Sequence, residues 1–304
     1  MSSLIQKSLK PISTQNYQGL LRRVRQKVLQ LPSEFRYRTE LLKYASHLPK
    51  LSASEHSIVN TLRSEGAYVT SLAALSLPST AQLLQAACGL FQELEANRVT
   101  RRGRHSVYAT PEQISHYPEL FLAGLDQQLL NIVETYIGVP VAYLGVSCRR
   151  EVANGREVAT RLWHQDLEDR RMIRIIVYLN EVDQEGGPFE YIAKNSIAPV
   201  QWLKYHSHRL HKASVDRAVK SVVPRQDWKA CVGPAGTVVF ADTGSIFHRG
   251  RLPVASERKA LFFTYTSRQP LNLTYAKQLL SQEQLLTLTQ SLGQRQRDCV
   301  FWQG

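Results

Sequence analysis

The sequence predicts a mainly β protein with flanking helices, its strands closing as a β-sandwich or jelly roll. Two observations predict it. Between residues 141 and 267, short apolar strand-like segments alternate with Gly/Pro turns, whereas before 137 and after 273 apolar residues recur at helical spacing. A third observation sets the scale: 304 residues, 43% hydrophobic and 21% charged, belong to an ordinary globular chain and not to a disordered one.

The helices come first. Candidate segments span 17–30, 34–47 and 52–65, the last stopped by Gly66 just past its end. AYVTSLAAL (67–75) reads as a strand, and a helix follows from Ser79 or Thr80 to Asn97. Thr110-Pro111-Glu112 offers a cap, a proline at the first helical position and a first-turn acid, which predicts one helix reaching Tyr136 before Gly138. Strands then take over. VAYLGVSCRREV, an Asn154-Gly155 turn and VATRLWH read as a hairpin, followed by MIRIIVYLNEV, a Gly186-Gly187-Pro188 turn and FEYIA. A polar helical insert covers 199–222. Strand patterns return in DWKACV, TVVFAD, SIFHRG and RKALFFTYTS, and the tail 274–292 has leucines at helical spacing.

Composition narrows the functional classes. No apolar stretch approaches the ~20 residues that span a bilayer, and MSSLIQKSLK has no secretory apolar core. Cys88, Cys148, Cys231 and Cys299 form no C-x-x-C pair, which disfavours a thiolate zinc site or a disulfide framework and predicts a cytoplasmic protein. The net charge of +13 points to nucleic acid, an acidic membrane surface or an anionic small molecule. Part of it is local, because residues 1–33 hold six Lys and Arg and no acid. Such an arm resembles a transit peptide. Leu21, Val24 and Val28 nevertheless make an apolar stripe among the arginines, and a basic amphipathic helix docked on its own domain is the preferred reading.

The chemistry concentrates in RLWHQD (161–166). In extended chain, side chains two apart share a face, so His164 and Asp166 can aim at one point. Alone, H-x-D is a chance pattern. A third ligand is available in His248, beyond a strand of the same β-core, and two histidines with one carboxylate make the facial triad of non-haem iron(II) oxygenases, with positions left open. Ten residues further, Arg258 opens an apolar strand. A guanidinium inside a β-core is costly unless it meets an anion, and its fork fits a carboxylate.

W-H-x-D, the strand ending Y-L-N-x-V, the G-G-P-F turn, and a distal histidine with an arginine ten residues on together resemble the phytanoyl-CoA dioxygenase-like family of Fe(II)/2-oxoglutarate oxygenases. The resemblance covers roughly residues 60–268. It implies a double-stranded β-helix (jelly roll, cupin-like) core and a single oxygenase domain over 1–304, with a helical N-terminal extension (1–60), the core with supporting helices (61–270) and a C-terminal helix (271–304). It implies iron on His164, Asp166 and His248, the distal carboxylate of 2-oxoglutarate on Arg258, and Tyr178 against the co-substrate. It also implies O2-dependent oxidation, such as hydroxylation, of an unactivated C–H in a small molecule, coupled to decarboxylation of 2-oxoglutarate to succinate and CO2. Asp166 fills the position that related halogenases leave for chloride. Two departures touch the substrate wall: AKNS (193–196) replaces the family's P-G-S-H, and Gly250 stands where relatives carry serine.

Competing readings are weaker. His206, His208 and His211, with Asp216, form a rival zinc candidate, but the segment is polar and basic and reads as a solvated helix. Arg170 and Arg171 read as surface charges near the metal. A non-catalytic β-helix binding protein would be expected to have lost a ligand or Arg258. A nucleic-acid binder would carry a recognition motif or aromatic stacking signature, and neither is present. The expected partner is a small molecule, with the basic charge leaning toward an anionic one, for a monomer or homodimer that binds no nucleic acid and does not span a membrane.

Overall fold

The computed structural model of the chain describes residues 33–96, 104–204 and 211–303. The chain divides into two compact units, Met1–Ala45 and Ser46–Gly304. The described part of the first is a helix over 33–44 (α1). The predicted helix at 17–30 and the pair His206 and His208 lie outside the described residues.

The second unit is built on antiparallel strands. One sheet has six strands in the order β1-β7-β4-β9-β3-β2: β1 (Ala67–Ser71), β7 (Thr237–Ala241), β4 (Ile173–Tyr178), β9 (Arg258–Ser267), β3 (Val141–Glu151) and β2 (Ser106–Tyr108). The other has three, β6 (Trp228–Cys231), β5 (Phe189–Ile192) and β8 (His248–Gly250), with β5 central. Ile176, Tyr178, Val239, Ala260 and Phe262 of the large sheet share one buried cluster with Phe189, Tyr191 and Cys231 of the small one, so the sheets enclose a common core.

Helices cover the outside. Ser52 caps α2 (Ala53–Ser64) in a reciprocal capping box with Glu55. The short α3 (Leu72–Leu75) precedes α4 (Thr80–Ala96), which buries Leu83, Ala87, Leu90 and Leu94 along one stripe. Helices hold more of the described residues than strands do, so a mainly β chain is a correction to make.

Three local expectations also change. The helix predicted from 111 to 136 is broken into α5 (Pro111–His116), α6 (Pro118–Leu122) and α7 (Gln127–Ile137). Pro118 cannot continue a helix from within it, and the Asp126 side chain starts a new one by accepting from the Gln128 amide. The hairpin expected after β3 does not form: β3 pairs with β9 and β2, and residues 158–163 make a single 3-10 turn instead. Arg161 explains why. Its buried guanidinium donates to the carbonyls of His105, Val152 and Arg156 and to Asn154, which pins the segment as a loop. The tail is two short helices, α10 (Gln282–Leu288) and α11 (Gln294–Val300), not one from 274. The insert contributes α8 (Gln201–Lys204) and α9 (Lys212–Val222). No helix among the described residues is long and apolar enough to cross a membrane.

Candidate metal centre and anion pocket

His164 and His248 face each other through a two-residue bridge. Each backbone N–H donates to the other's carbonyl, at 3.0 and 2.9 Å, and this isolated pair extends the small sheet beyond β8. Two residues on, the Asp166 amide donates to the Thr243 carbonyl at 3.0 Å. Three backbone bonds therefore fix three side chains, and the i, i+2 geometry brings His164 and Asp166 to the same side.

The donor atoms converge. His164 Nε2 lies 3.7 Å from Asp166 Oδ1, His248 Nε2 lies 3.8 Å from Asp166 Oδ2, and one atom from each residue falls within 4.8 Å of the others. It is the one such group of three His, Cys, Asp or Glu among the described residues. Each Nδ1 sits against a backbone carbonyl, Leu162 at 2.7 Å and Ile246 at 3.3 Å. An N–H there leaves Nε2 as the free lone pair on both rings, the tautomer a metal needs. Separations of this size suit one ion held at about 2.0–2.2 Å from nitrogen and oxygen.

Protonation favours the same use. Burial, helped by the neighbouring His248 ring, pushes the His164 imidazole down to about 3, and burial also lowers His248. Burial works to raise the Asp166 carboxyl, but the Arg174 guanidinium and the two imidazoles outweigh it and hold Asp166 far below the carboxylate range. The site presents two neutral imidazoles and one carboxylate at neutral pH, as a divalent cation requires.

Arg174 is the residue that sequence reasoning missed here. It alternates to the inner face of β4, and its Nε donates to Asp166 Oδ2 at 2.7 Å, its Nη2 to Glu168 at 2.9 Å and its Nη1 to Thr264 at 3.2 Å. A guanidinium eight residues past a candidate ligand, on the strand leaving the motif, was the available signal. Burial and the Asp166 charge in turn raise the Glu168 carboxyl.

One cavity joins the triad to Arg258. His164, Asp166, Arg174, Ile176, Phe189, His248, Arg258 and Arg149 all line it. Arg258 is 2% exposed, and its Nε and Nη1 have no hydrogen-bond partner among the described residues. Its nearest carboxylate is Glu151, paired with it across the β3–β9 register but 3.9 Å from Nη2. Gly250 leaves the room this side chain uses: a Cβ there would stand 2.9 Å from Arg258 Nη2. Tyr178 is buried below the cavity, where its hydroxyl donates to the Cys231 carbonyl and accepts from the Phe189 amide, both at 2.9 Å.

The rival histidines fare differently. His211 caps α9 by accepting from the Ala213 amide, and Asp216 is committed to the Trp163 amide and Lys220. Of the two arginines read as surface charges, Arg171 is exposed, while Arg170 is partly buried with Nη1 3.6 Å from Asp169.

No family model matches the chain, and no curated protein matches it either. Solved structures do. AviO1 from Streptomyces viridochromogenes Tue57 superposes with a TM-score of 0.50 at 15% identity, over 73% of this chain and 99% of that one. EctD from S. alaskensis in its apoform gives 0.49 at 17% identity, over 75% and 81%. HygX from Streptomyces hygroscopicus, with nickel and 2-oxoglutarate bound, gives 0.47 at 14% identity, over 72% and 88%. At such identities the likeness to AviO1 establishes a shared fold and nothing about chemistry.

Proposed function

We propose that the protein is a non-haem Fe(II)/2-oxoglutarate-dependent dioxygenase of the phytanoyl-CoA dioxygenase-like type, with a double-stranded β-helix core, that hydroxylates an unactivated C–H of a small molecule. The observation that carries this reading is the pairing, in one cavity, of a two-His, one-carboxylate cluster with a buried arginine, Arg258, whose Nε and Nη1 have no hydrogen-bond partner among the described residues. Either feature alone has ordinary explanations. Together they describe a ligand that is chelated at one end and anionic at the other.

His164, Asp166 and His248 would hold iron through Nε2, a carboxylate oxygen and Nε2. When bound, iron with 2-oxoglutarate supplies O2 activation coupled to decarboxylation of the co-substrate. The chain's residues bind and orient. Arg174 keeps Asp166 ionised and fixes the direction of its carboxylate by the 2.7 Å bond from Nε. The Arg258 guanidinium, whose Nε and Nη1 have no hydrogen-bond partner among the described residues, would meet the distal carboxylate of 2-oxoglutarate. Ile176, Phe189 and Phe262 add apolar lining to the same cavity.

Calorimetric titration tests the reading without knowledge of the substrate. Mn(II) should bind one per chain, and 2-oxoglutarate should bind only after the metal. His164→Ala with His248→Ala should abolish metal binding, while Arg258→Leu should retain it and weaken 2-oxoglutarate. Failure of 2-oxoglutarate to bind the Mn(II)-loaded protein refutes the proposal.

A further inference from the structure

The inner face of β3 carries a second guanidinium that the co-substrate does not require. Arg149 and Glu151 are two apart on that strand and share a face, and the register sets Arg149 opposite Ala260, one step from Arg258 toward the metal cluster. Arg149 lines the cavity, and its guanidinium carbon lies 3.6 Å from the Phe262 ring centroid. Such stacking holds a planar cation flat and directs its N–H edge sideways into the space in front of the ring.

Charge on this side of the cavity is out of balance. Glu151, 3% exposed, is the carboxylate that meets Arg149 at 3.4 Å, Arg161 at 3.6 Å and Arg258 at 3.9 Å, and it also accepts from Ser106 at 2.6 Å. One anion thus faces three cations. Arg161 is satisfied by backbone carbonyls and belongs to the loop. The other two are not. Among the described residues, Arg258 Nε and Nη1 are buried without a hydrogen-bond partner, Arg149 Nε has the 3.4 Å ion pair to Glu151 but no hydrogen bond, and Arg149 Nη1 makes a long 3.4 Å contact to the Tyr108 hydroxyl. With the far end of a single dicarboxylate on Arg258, that carboxylate and Glu151 still face three guanidiniums, so one positive charge is left over on this side of the cavity.

We infer that Arg149 is the recognition residue for an anionic group, a carboxylate or phosphate, carried by the substrate that is oxidised. This rests on the oxygenase reading and deepens it: the substrate class is a small organic anion. Tyr108, 41% exposed at the outer edge of β2, places Arg149 where the cavity meets the surface. An anion held there has its hydrocarbon part directed past Phe262 toward the metal ligands.

The test compares matched charged and neutral probes. Benzoate against benzamide, acetate against acetamide, and phenyl phosphate are titrated into the protein loaded with Mn(II) and 2-oxoglutarate, and again into the metal-free protein. The expected result is that at least one anion binds about tenfold or more tightly than its neutral partner. Arg149→Met should abolish that preference and Arg149→Lys keep part of it. The 2-oxoglutarate affinity of Arg149→Met should stay within a few-fold of the parent, and its thermal midpoint reports that it folds. Equal binding of anions and neutral partners by the parent protein overturns the inference. So does a loss of 2-oxoglutarate affinity in Arg149→Met as large as that in Arg258→Leu, which would make Arg149 part of the co-substrate clamp. If 2-oxoglutarate does not bind the parent at all, the oxygenase reading fails instead, and the metal-free titrations still decide the role of Arg149.

Discussion

Replacing Arg258 with Met should affect two measurements differently. In the protein without co-substrate, Arg258 is a cost: it is 2% exposed, two of its nitrogens lack acceptors, and Glu151 at 3.9 Å is shared with Arg149 and Arg161. An unsatisfied buried donor costs about 1–3 kcal/mol, so removing two relieves about 2–3 kcal/mol at the low end of that range. Against this stand about 1 kcal/mol for the lost attraction to Glu151 and about 1 kcal/mol for the space a shorter side chain leaves. The balance favours the variant by about 0–1 kcal/mol, which for a chain of this size leaves the melting midpoint level or raises it by about 2–4 °C at most. Co-substrate binding loses its charge-assisted pair, worth about 1.5–3 kcal/mol, so 2-oxoglutarate affinity should fall roughly tenfold to a hundredfold while Mn(II) affinity is kept. Differential scanning fluorimetry in EDTA gives the first quantity and calorimetry on the Mn(II)-loaded protein the second. A midpoint lowered by about 5 °C together with an unchanged 2-oxoglutarate affinity would refute the reasoning, because Arg258 would then be structural.

Three further outcomes are expected. Arg174→Met should destabilise the metal-free protein by about 3 kcal/mol at pH 7, since it strips the partner from buried Asp166 and Glu168; the lowered Asp166 pKa stabilises the parent above about pH 4 and that stability is lost as pH falls, so urea midpoints of parent and variant should converge on acidification. His164 and His248 are held below the ordinary imidazole range, so Mn(II) affinity should pass about pH 6.5 without the step ordinary imidazoles would give, while metal-free stability falls below about pH 6.5 as the unfolded chain takes up protons; a step in Mn(II) affinity near pH 6.5 would contradict this. Gly250→Ser should lower 2-oxoglutarate affinity severalfold with metal binding intact, because its Cβ would press on Arg258 at 2.9 Å, and calorimetry detects it directly.

The residues that could be read from the sequence are those whose role is local. His164 and Asp166 share a face by strand geometry, and His248 and Arg258 open β8 and β9, so a short pattern carries each of them. The core strands of residues 173–192 and 228–267 also followed from alternation and Gly/Pro turns. What failed were segments whose conformation is decided at a distance. Residues 158–163 have a strand-like composition, but Arg161 draws them onto the carbonyls of His105 and Val152, more than fifty and nine residues away. The helix from Pro111 breaks because Pro118 and the Asp126 cap override a continuous apolar stripe. Arg149 and Arg174 were invisible for another reason. Each looks like a surface charge until the β3–β9 and β4–β9 registers set it beside a particular carboxylate.

Those two registers give the cavity opposite characters at its ends. At the Thr264 end of β9, one guanidinium, Arg174, serves two carboxylates, Asp166 and Glu168. There the protein is short of positive charge, and a cation between the two imidazoles restores it. At the Arg258 end, one carboxylate, Glu151, serves three guanidiniums, and the protein is short of negative charge. The groups at the Arg258 end are mostly buried and those at the Thr264 end half-buried, where unpaired charge is costly. A metal ion by itself would answer the first end and leave the second strained. An anion by itself would answer the second and leave Asp166 and Glu168 sharing one partner. A cation at one end and an anion at the other reduce both imbalances at once along β9, so metal and dicarboxylate should each bind more tightly in the presence of the other.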